Sequence, residues 1–416
     1  MIIKELWAKA GTVTMTGPEG PAEIPFWGFA GSATGTPQLP GPLIEACAGE
    51  AIQVVLHNTL DEPVCLMFPG QDRTPHPAKG ESGRFISYDT PAGPNGGTAT
   101  YTFTASRPGT YLYESGCQPE KQVPLGLYGA LIIRPVDYDP EDPFRKTAYG
   151  AGTGTEFDVE QVMVLGEIDS RMNRHVAAGL PFDLSRYSPD YWLINGRAFP
   201  ATIAPDTFNS QPYGSRLSAT AGQRLLIRCL NAGCQNHSLH LSGGFFRVLA
   251  GDARPLKTPA LDATYRRHTL VIGSGQTYDL LFTGNFPGQY YLFDRELPHL
   301  VSRGQFAGGM MTRIDVLPAV PAAPPPPPTN LTGAAVAPTR VALSWTGPDD
   351  GEDGLAIERK TGADGRYAEL VVLLGTRVSG YVDESVSAKT TYVYRARAFN
   401  AAGFSAYSNE AAVTTP

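Results

Sequence analysis

Glu114, in the stretch TYLYESGCQ, is the first residue whose type could do chemistry. A carboxyl works as a general acid or base when a second group shares the proton traffic, and Glu120, Asp89 and Asp72 are the acids at hand. Their spacing selects none of them, and a loop carboxylate is ordinarily a solvated one. IGSGQ (272–276) sets a serine between glycines but lacks the Gly-x-Ser-x-Gly spacing and the strand-to-helix setting of a nucleophile elbow. Five cysteines are too few for a disulfide-scaffold protein of 416 residues. Cys229 and Cys234 are close enough in sequence to bridge if the chain folds back, and bridges would imply an oxidising compartment.

The elements that must position these residues read as strands. Gly (46) and Pro (37) make up a fifth of the chain, charged residues 18% and hydrophobic residues 42%, which suits a turn-rich all-β protein with ample core. AIQVVLHNTL, TATYTFTA, YGALIIRP, VEQVMVLGEI, QRLLIRCLNAG, FFRVLAGD, RHTLVIGSG and QYYLFDREL are short β-like runs with no long stretch of helical period. GEAIQVVLHN is echoed by GQRLLIRCLNAG, and PGTYLYESG by PGQYYLFDRE, so a duplicated sandwich is expected. The seam falls near residue 140, where VDYDPEDPF is acidic and broken by prolines.

A formal charge of -7 without a Lys/Arg block argues against nucleic acid as a partner. No apolar run is long enough to span a bilayer, and MIIKELWAKAGTVTM lacks the regions of a signal peptide, so no transmembrane segment and no signal peptide are read in this chain. PAVPAAPPPPPTN (318–330) favours polyproline II and a semi-rigid spacer. Beyond it, TRVALSWTG, GLAIERKTG, RYAELVVLL and TTYVYRARAFNAAG alternate in sandwich fashion. That segment resembles a fibronectin type III domain, with Trp345 in the second-strand position and Tyr392 in the tyrosine-corner position.

Residues 1–316 resemble a multicopper oxidase built from two cupredoxin domains, on GPLIEACAGEAIQVVLHNTL, GLYGALIIRP, LINGRAFP, AGQRLLIRCLNAG, NHSLHLSGGFFRVLAGD, IGSGQTYDLLF and GGMMTRIDV. The resemblance implies an all-β fold: two cupredoxin-like Greek-key sandwiches at 1–140 and 141–317, a linker at 318–328, and an immunoglobulin-like fibronectin type III sandwich at 329–416. It also implies histidine pairs and one cysteine that bind four copper ions, and most of those positions are changed. Met67 and Pro69 stand where the first pair belongs, and Glu114 and Gly116 where the second does. HSLHLS keeps His237 and His240 but puts Ser242 third, and the family's His-Cys-His becomes Phe293, Asp294 and Arg295. One imidazole of eight is left for a three-copper cluster, and the blue-copper thiolate is gone.

At the blue-copper position His237, His299 and Asp294, with Met310 nearby, form a recognised ligand set for copper, iron or zinc. The alternative is a polar remnant in which Asp294 pairs with Arg295 or accepts a histidine hydrogen bond. In the family the two first-domain ligand loops converge, so the resemblance places Cys65 near Cys117 and suggests a disulfide that staples what copper once joined; two independent buried thiols are the plainer reading. The function expected is a copper-free, catalytically silent protein outside the cytoplasm (secreted, periplasmic or at the cell surface), without a cofactor. It would bind a protein partner or assemble with itself, as two-domain multicopper oxidases resemble trimers. The rival expectation is an oxidoreductase or metal-binding protein using His237, His299 and Asp294.

Overall fold

In AIQVVLHN (51–58) every second residue is buried, so Ile52, Val54, Leu56 and Asn58 face inward while the others face out. That two-residue period is a sheet with one face on a core. The structure is a computed structural model that describes every residue except 18–19, 81, 205–209, 259, 320–322, 349–350 and 401. Part of the expected proline-rich linker therefore lies outside the described residues. The chain divides into two compact units, Met1–Pro318 and Ala319–Pro416.

Within the first unit, one sheet runs Gly20–Ala30, Ile2–Gly17, Ala51–Asn58 and Gly97–Thr104. It faces a second made of Gly41–Cys47, Tyr128–Arg134, Gly109–Ser115 and Leu66–Met67. Ile52, Val54, Tyr101, Tyr113, Leu131 and their neighbours fill the space between them. The second sandwich repeats the plan. Val159–Ile168 runs parallel to Arg224–Asn231, which pairs antiparallel with Thr277–Thr283, as Ile2–Gly17, Ala51–Asn58 and Gly97–Thr104 do in the first.

The sequence echo has a physical basis at its asparagines. Asn58 is buried and its Nδ2 donates to the carbonyls of Glu62, Ala92 and Gly93, while its Oδ1 accepts from Leu60 N–H. Asn231 does the same work with Gln235, Ile272 and Gly233. Each closes the loop that follows a central strand by satisfying main-chain groups that the sheet leaves unpaired.

Among the contacts that fuse the sandwiches are a shared apolar cluster and a charged network. Val13, Ile24, Phe26, Leu112 and Tyr128 of the first share one apolar cluster with Val164, Ile168, Tyr191, Leu193 and Leu230 of the second. Arg228, fully buried, sits in a charged network: its Nε donates to Glu160 and its Nη1 to Thr110 and Asp279. Arg134 of the first sandwich holds Glu160 by two bonds of 2.7 Å.

Considered by itself, the second unit is a small sandwich. Thr329–Ala337, Arg340–Thr346 and Gly380–Asp383 form one sheet, and Ala368–Leu374, Gly354–Thr361, Thr391–Asn400, Gly403–Phe404 and Ala411–Thr414 the other. Trp345 and Tyr394 are buried between them, and the Tyr392 hydroxyl accepts from the Ser387 N–H at 2.9 Å.

Candidate metal centre

His237 opens the strand His237–Leu241 and shares its inner face with Leu239 and Leu241. Asp294 ends the neighbouring strand Gly288–Asp294, opposite Leu239, and a one-turn 3-10 helix, Leu297–Leu300, brings His299 back over it. The donor atoms of His237, Asp294 and His299 all lie within 4.8 Å of one another. Asp294 is fully buried and its carboxylate is saturated. Oδ2 accepts from His237 Nδ1 at 2.7 Å and from His299 Nδ1 at 2.6 Å, and Oδ1 accepts from the Ser238 and Glu296 N–H groups at 3.0 Å each.

Glu167, at the far end of Val159–Ile168, completes the cluster. Its Oε1 accepts from Cys234 and Gln235 N–H, while its Oε2 lies 3.7 Å from His237 Nε2, too far for a hydrogen bond but close for opposite charges. Among the described residues both of those buried atoms are without a hydrogen-bond partner. Burial opposes a charge on His237, but Asp294 and Glu167 outweigh it and push the imidazole up to about 9. Burial likewise opposes the charge on Asp294, and the bonds from His237, His299 and Glu296 hold it well below the usual carboxylate range. Trp192 stacks on His299 with ring centres 4.8 Å apart.

The donor types suit a divalent ion, but their arrangement is that of a hydrogen-bonded ion cluster. Donors around a tetrahedral ion lie about 3.3 Å apart, as bonds near 2.0 Å require. Here both Nδ1 atoms spend their protons on one carboxylate oxygen. Met310 is buried in the second core and supplies main-chain bonds to Asp294 and His299.

The other positions at which the resemblance implies copper ligands do not meet at this centre. Phe293 and Arg295 flank Asp294 and, by the strand's alternation, lie on the opposite face. His240 joins them there, hydrogen-bonded to Thr269 at 2.7 Å and packed on Phe293. The Ser242 hydroxyl accepts from Tyr291 N–H. Met67, Glu114 and Gly116 lie together in the first sandwich, where Leu66–Met67 pairs with Gly109–Ser115, and Pro69 is exposed just beyond. Of the two partners expected for Asp294, Arg295 is exposed and unpaired with it, and the carboxylate accepts from the histidines His237 and His299.

In this structure no cysteine is bridged, the expected Cys65–Cys117 pair included. The expected Cys229–Cys234 bridge is therefore corrected: Cys229 points into the second core from its strand, whereas Cys234 is exposed on the loop beside Glu167. Glu167 was invisible as a site residue, its only signal being an acid closing the apolar run VEQVMVLGEI, and Trp192 in RYSPDYWLINGRAFP fits a strand better than a cleft lining.

None of the hydrogen bonds or ion pairs described for Glu114 joins it to Glu120, Asp89 or Asp72, so the acid–base pair has no geometric support. Burial raises its carboxyl to about 7. A carboxyl whose folded value exceeds its unfolded one adds stability below the unfolded value, near pH 4, and loses it as pH rises through the folded value. Replacing Glu114→Gln is expected to add about 1–2 kcal/mol at about pH 8 and nothing at about pH 4, a shift reduced by partial exposure. Urea midpoints at the two pH values check this, and equal gains at both would refute it.

The multicopper oxidase family models match residues 30–137 and 170–314. Laccase-3 of Botryotinia fuckeliana is 27% identical over 308 residues, covering 74% of this chain and 61% of its own length. The copper-containing nitrite reductase of Neisseria meningitidis serogroup B is 23% identical over 296 residues, covering 70% and 64%. The chain thus spans less than two thirds of these curated relatives. Among solved structures, the multicopper oxidase mgLAC aligns with a TM-score of 0.59 at 22% identity over 76% of this chain and 86% of its own. A blue copper oxidase from Nitrosomonas europaea aligns at 0.58 and 23%, over 76% and 85%. At these identities the likeness speaks for the fold.

Proposed function

The chain belongs to the multicopper oxidase family, and from that premise we propose that it is a copper-free member whose sandwiches serve as a binding or assembly scaffold. The observation that carries this reading is the Asp294 carboxylate, which takes four hydrogen bonds, two of them from the imidazoles that would otherwise bind metal. A protonated His237 supplies the positive charge between Asp294 and Glu167. The emptied positions Met67, Pro69, Glu114, Gly116, Ser242, Phe293 and Arg295 support the same reading, because no thiolate and too few imidazoles are left to pass electrons to oxygen.

The second unit is proposed to be a fibronectin type III module, supported by buried Trp345 and by the Tyr392 hydroxyl bonded to Ser387 N–H. The domain limits proposed are 1–140 and 141–317 for the sandwiches, 318–328 for the linker and 329–416 for the module. A location outside the cytoplasm and a protein partner, or a second copy of the chain, belong to the same proposal. No described helix is long and apolar enough to cross a membrane.

One observation favours a second reading. His237, Asp294 and His299 do converge, and a metal displacing the two Nδ1 protons would be held by two histidines and a carboxylate. Such an ion would supply Lewis-acid or redox chemistry, with Trp192 covering His299. The metal content of protein folded with copper, iron and zinc present separates the two readings.

A further inference from the structure

Cys65 and Cys117 lie on two adjoining segments of the first sandwich. Cys65 immediately precedes Leu66–Met67, and its carbonyl accepts the Gly116 N–H at 3.1 Å, which carries the pairing of Leu66–Met67 with Gly109–Ser115 one step further. Cys117 is tied beyond it, its N–H on the Ser115 hydroxyl and its main chain bridged to Ser87. Both side chains are buried, at 0% and 3% exposure, and each is among the groups that shift the other's thiol. Room for the Cys65 sulfur comes from Gly116. A Cβ there would lie 2.9 Å from Cys65 Sγ and 2.7 Å from Met67 Cγ, so any other side chain would press on the space the sulfur fills.

We infer that Cys65 and Cys117 form a disulfide that clamps the two loops of the first sandwich, and that Gly116 is the residue that makes the closure fit. Because both sulfurs are buried, the bond belongs to the folding chain. The Cys65 thiolate attacks a small disulfide such as oxidised glutathione, forming a mixed disulfide and releasing one glutathione thiol. The Cys117 thiolate then attacks the Cys65 sulfur, closing the bond and releasing the second glutathione; two protein thiols are oxidised and one glutathione disulfide is reduced. The bond closes a loop of about fifty residues, long enough for the constraint on the unfolded chain to matter.

The full chain, refolded from denaturant with glutathione and its disulfide, is unfolded again and alkylated with iodoacetamide. Expected is one linked peptide pair, about 2 Da lighter than its two thiol peptides together, joining Cys65 to Cys117, with Cys47, Cys229 and Cys234 alkylated. Alkylation of both Cys65 and Cys117 in most molecules overturns the inference, as does either one bonded to glutathione or to a third cysteine. Gly116→Ala is expected to lower the bridged fraction at least several-fold; bridging at the wild-type level would overturn the role given to Gly116. The wild-type peptide map decides the disulfide even if that variant fails to fold.

Discussion

Asp294→Ala is expected to lose about 3–5 kcal/mol of stability, read as a fall in the urea midpoint of the Met1–Pro318 unit. The loss has two parts. Four hydrogen bonds into a fully buried carboxylate vanish, and His237 is left with Glu167 at 3.7 Å as its nearest acid. Breaking one partner out of a buried ion cluster costs far more than the cluster contributes over a well-packed apolar core, because the remaining charge is stranded. Asp294→Asn keeps the shape and accepts fewer of these bonds, so its loss is expected to be smaller. A change below about 1 kcal/mol for Asp294→Ala would mean that the cluster is not held as charges.

Arg228→Ala should be comparably damaging, again about 3–5 kcal/mol. Arg228 is fully buried and its removal strands Asp279, which among the described residues keeps the hydroxyls of Thr110 and Tyr149, and leaves Glu160 with Arg134. The contrast is Arg186, whose pairing with Asp183 is largely exposed; Arg186→Ala is expected to change stability by less than about 0.5 kcal/mol. Equal effects at the two arginines would show that the network across the sandwiches does not hold them together.

How much of this was legible depended on whether the signal was local. Strand periods and the two echoed asparagines are local, and both sandwiches follow from them. Arg228 was legible in part: a charge inside RLLIRCLN has to find a partner, but Glu160 and Asp279 lie 68 and 51 residues away, and nothing in the spacing names them. Glu167 is 70 residues from His237, so the acid that faces its ring could come only from the fold. Cys229 and Cys234 failed for the opposite reason. They are near in sequence, yet a strand's alternation sends Cys229 into the core while Cys234 stays on a loop. The convergence of Cys65 with Cys117 was legible through the family resemblance, whereas the role of Gly116 needed the sulfur's position.

In the proposed function, protons and not a metal ion hold His237, Asp294 and His299 together. The most direct test of this is the metal content of the full chain, folded with copper, iron and zinc all present and then freed of loosely bound ions. The account predicts less than a tenth of an equivalent of each, on the order of what adventitious surface ligands retain. About one equivalent of a single metal, lost on replacing His237→Ala or His299→Ala in chains that still fold, would contradict it and establish His237, Asp294 and His299 as a working metal site.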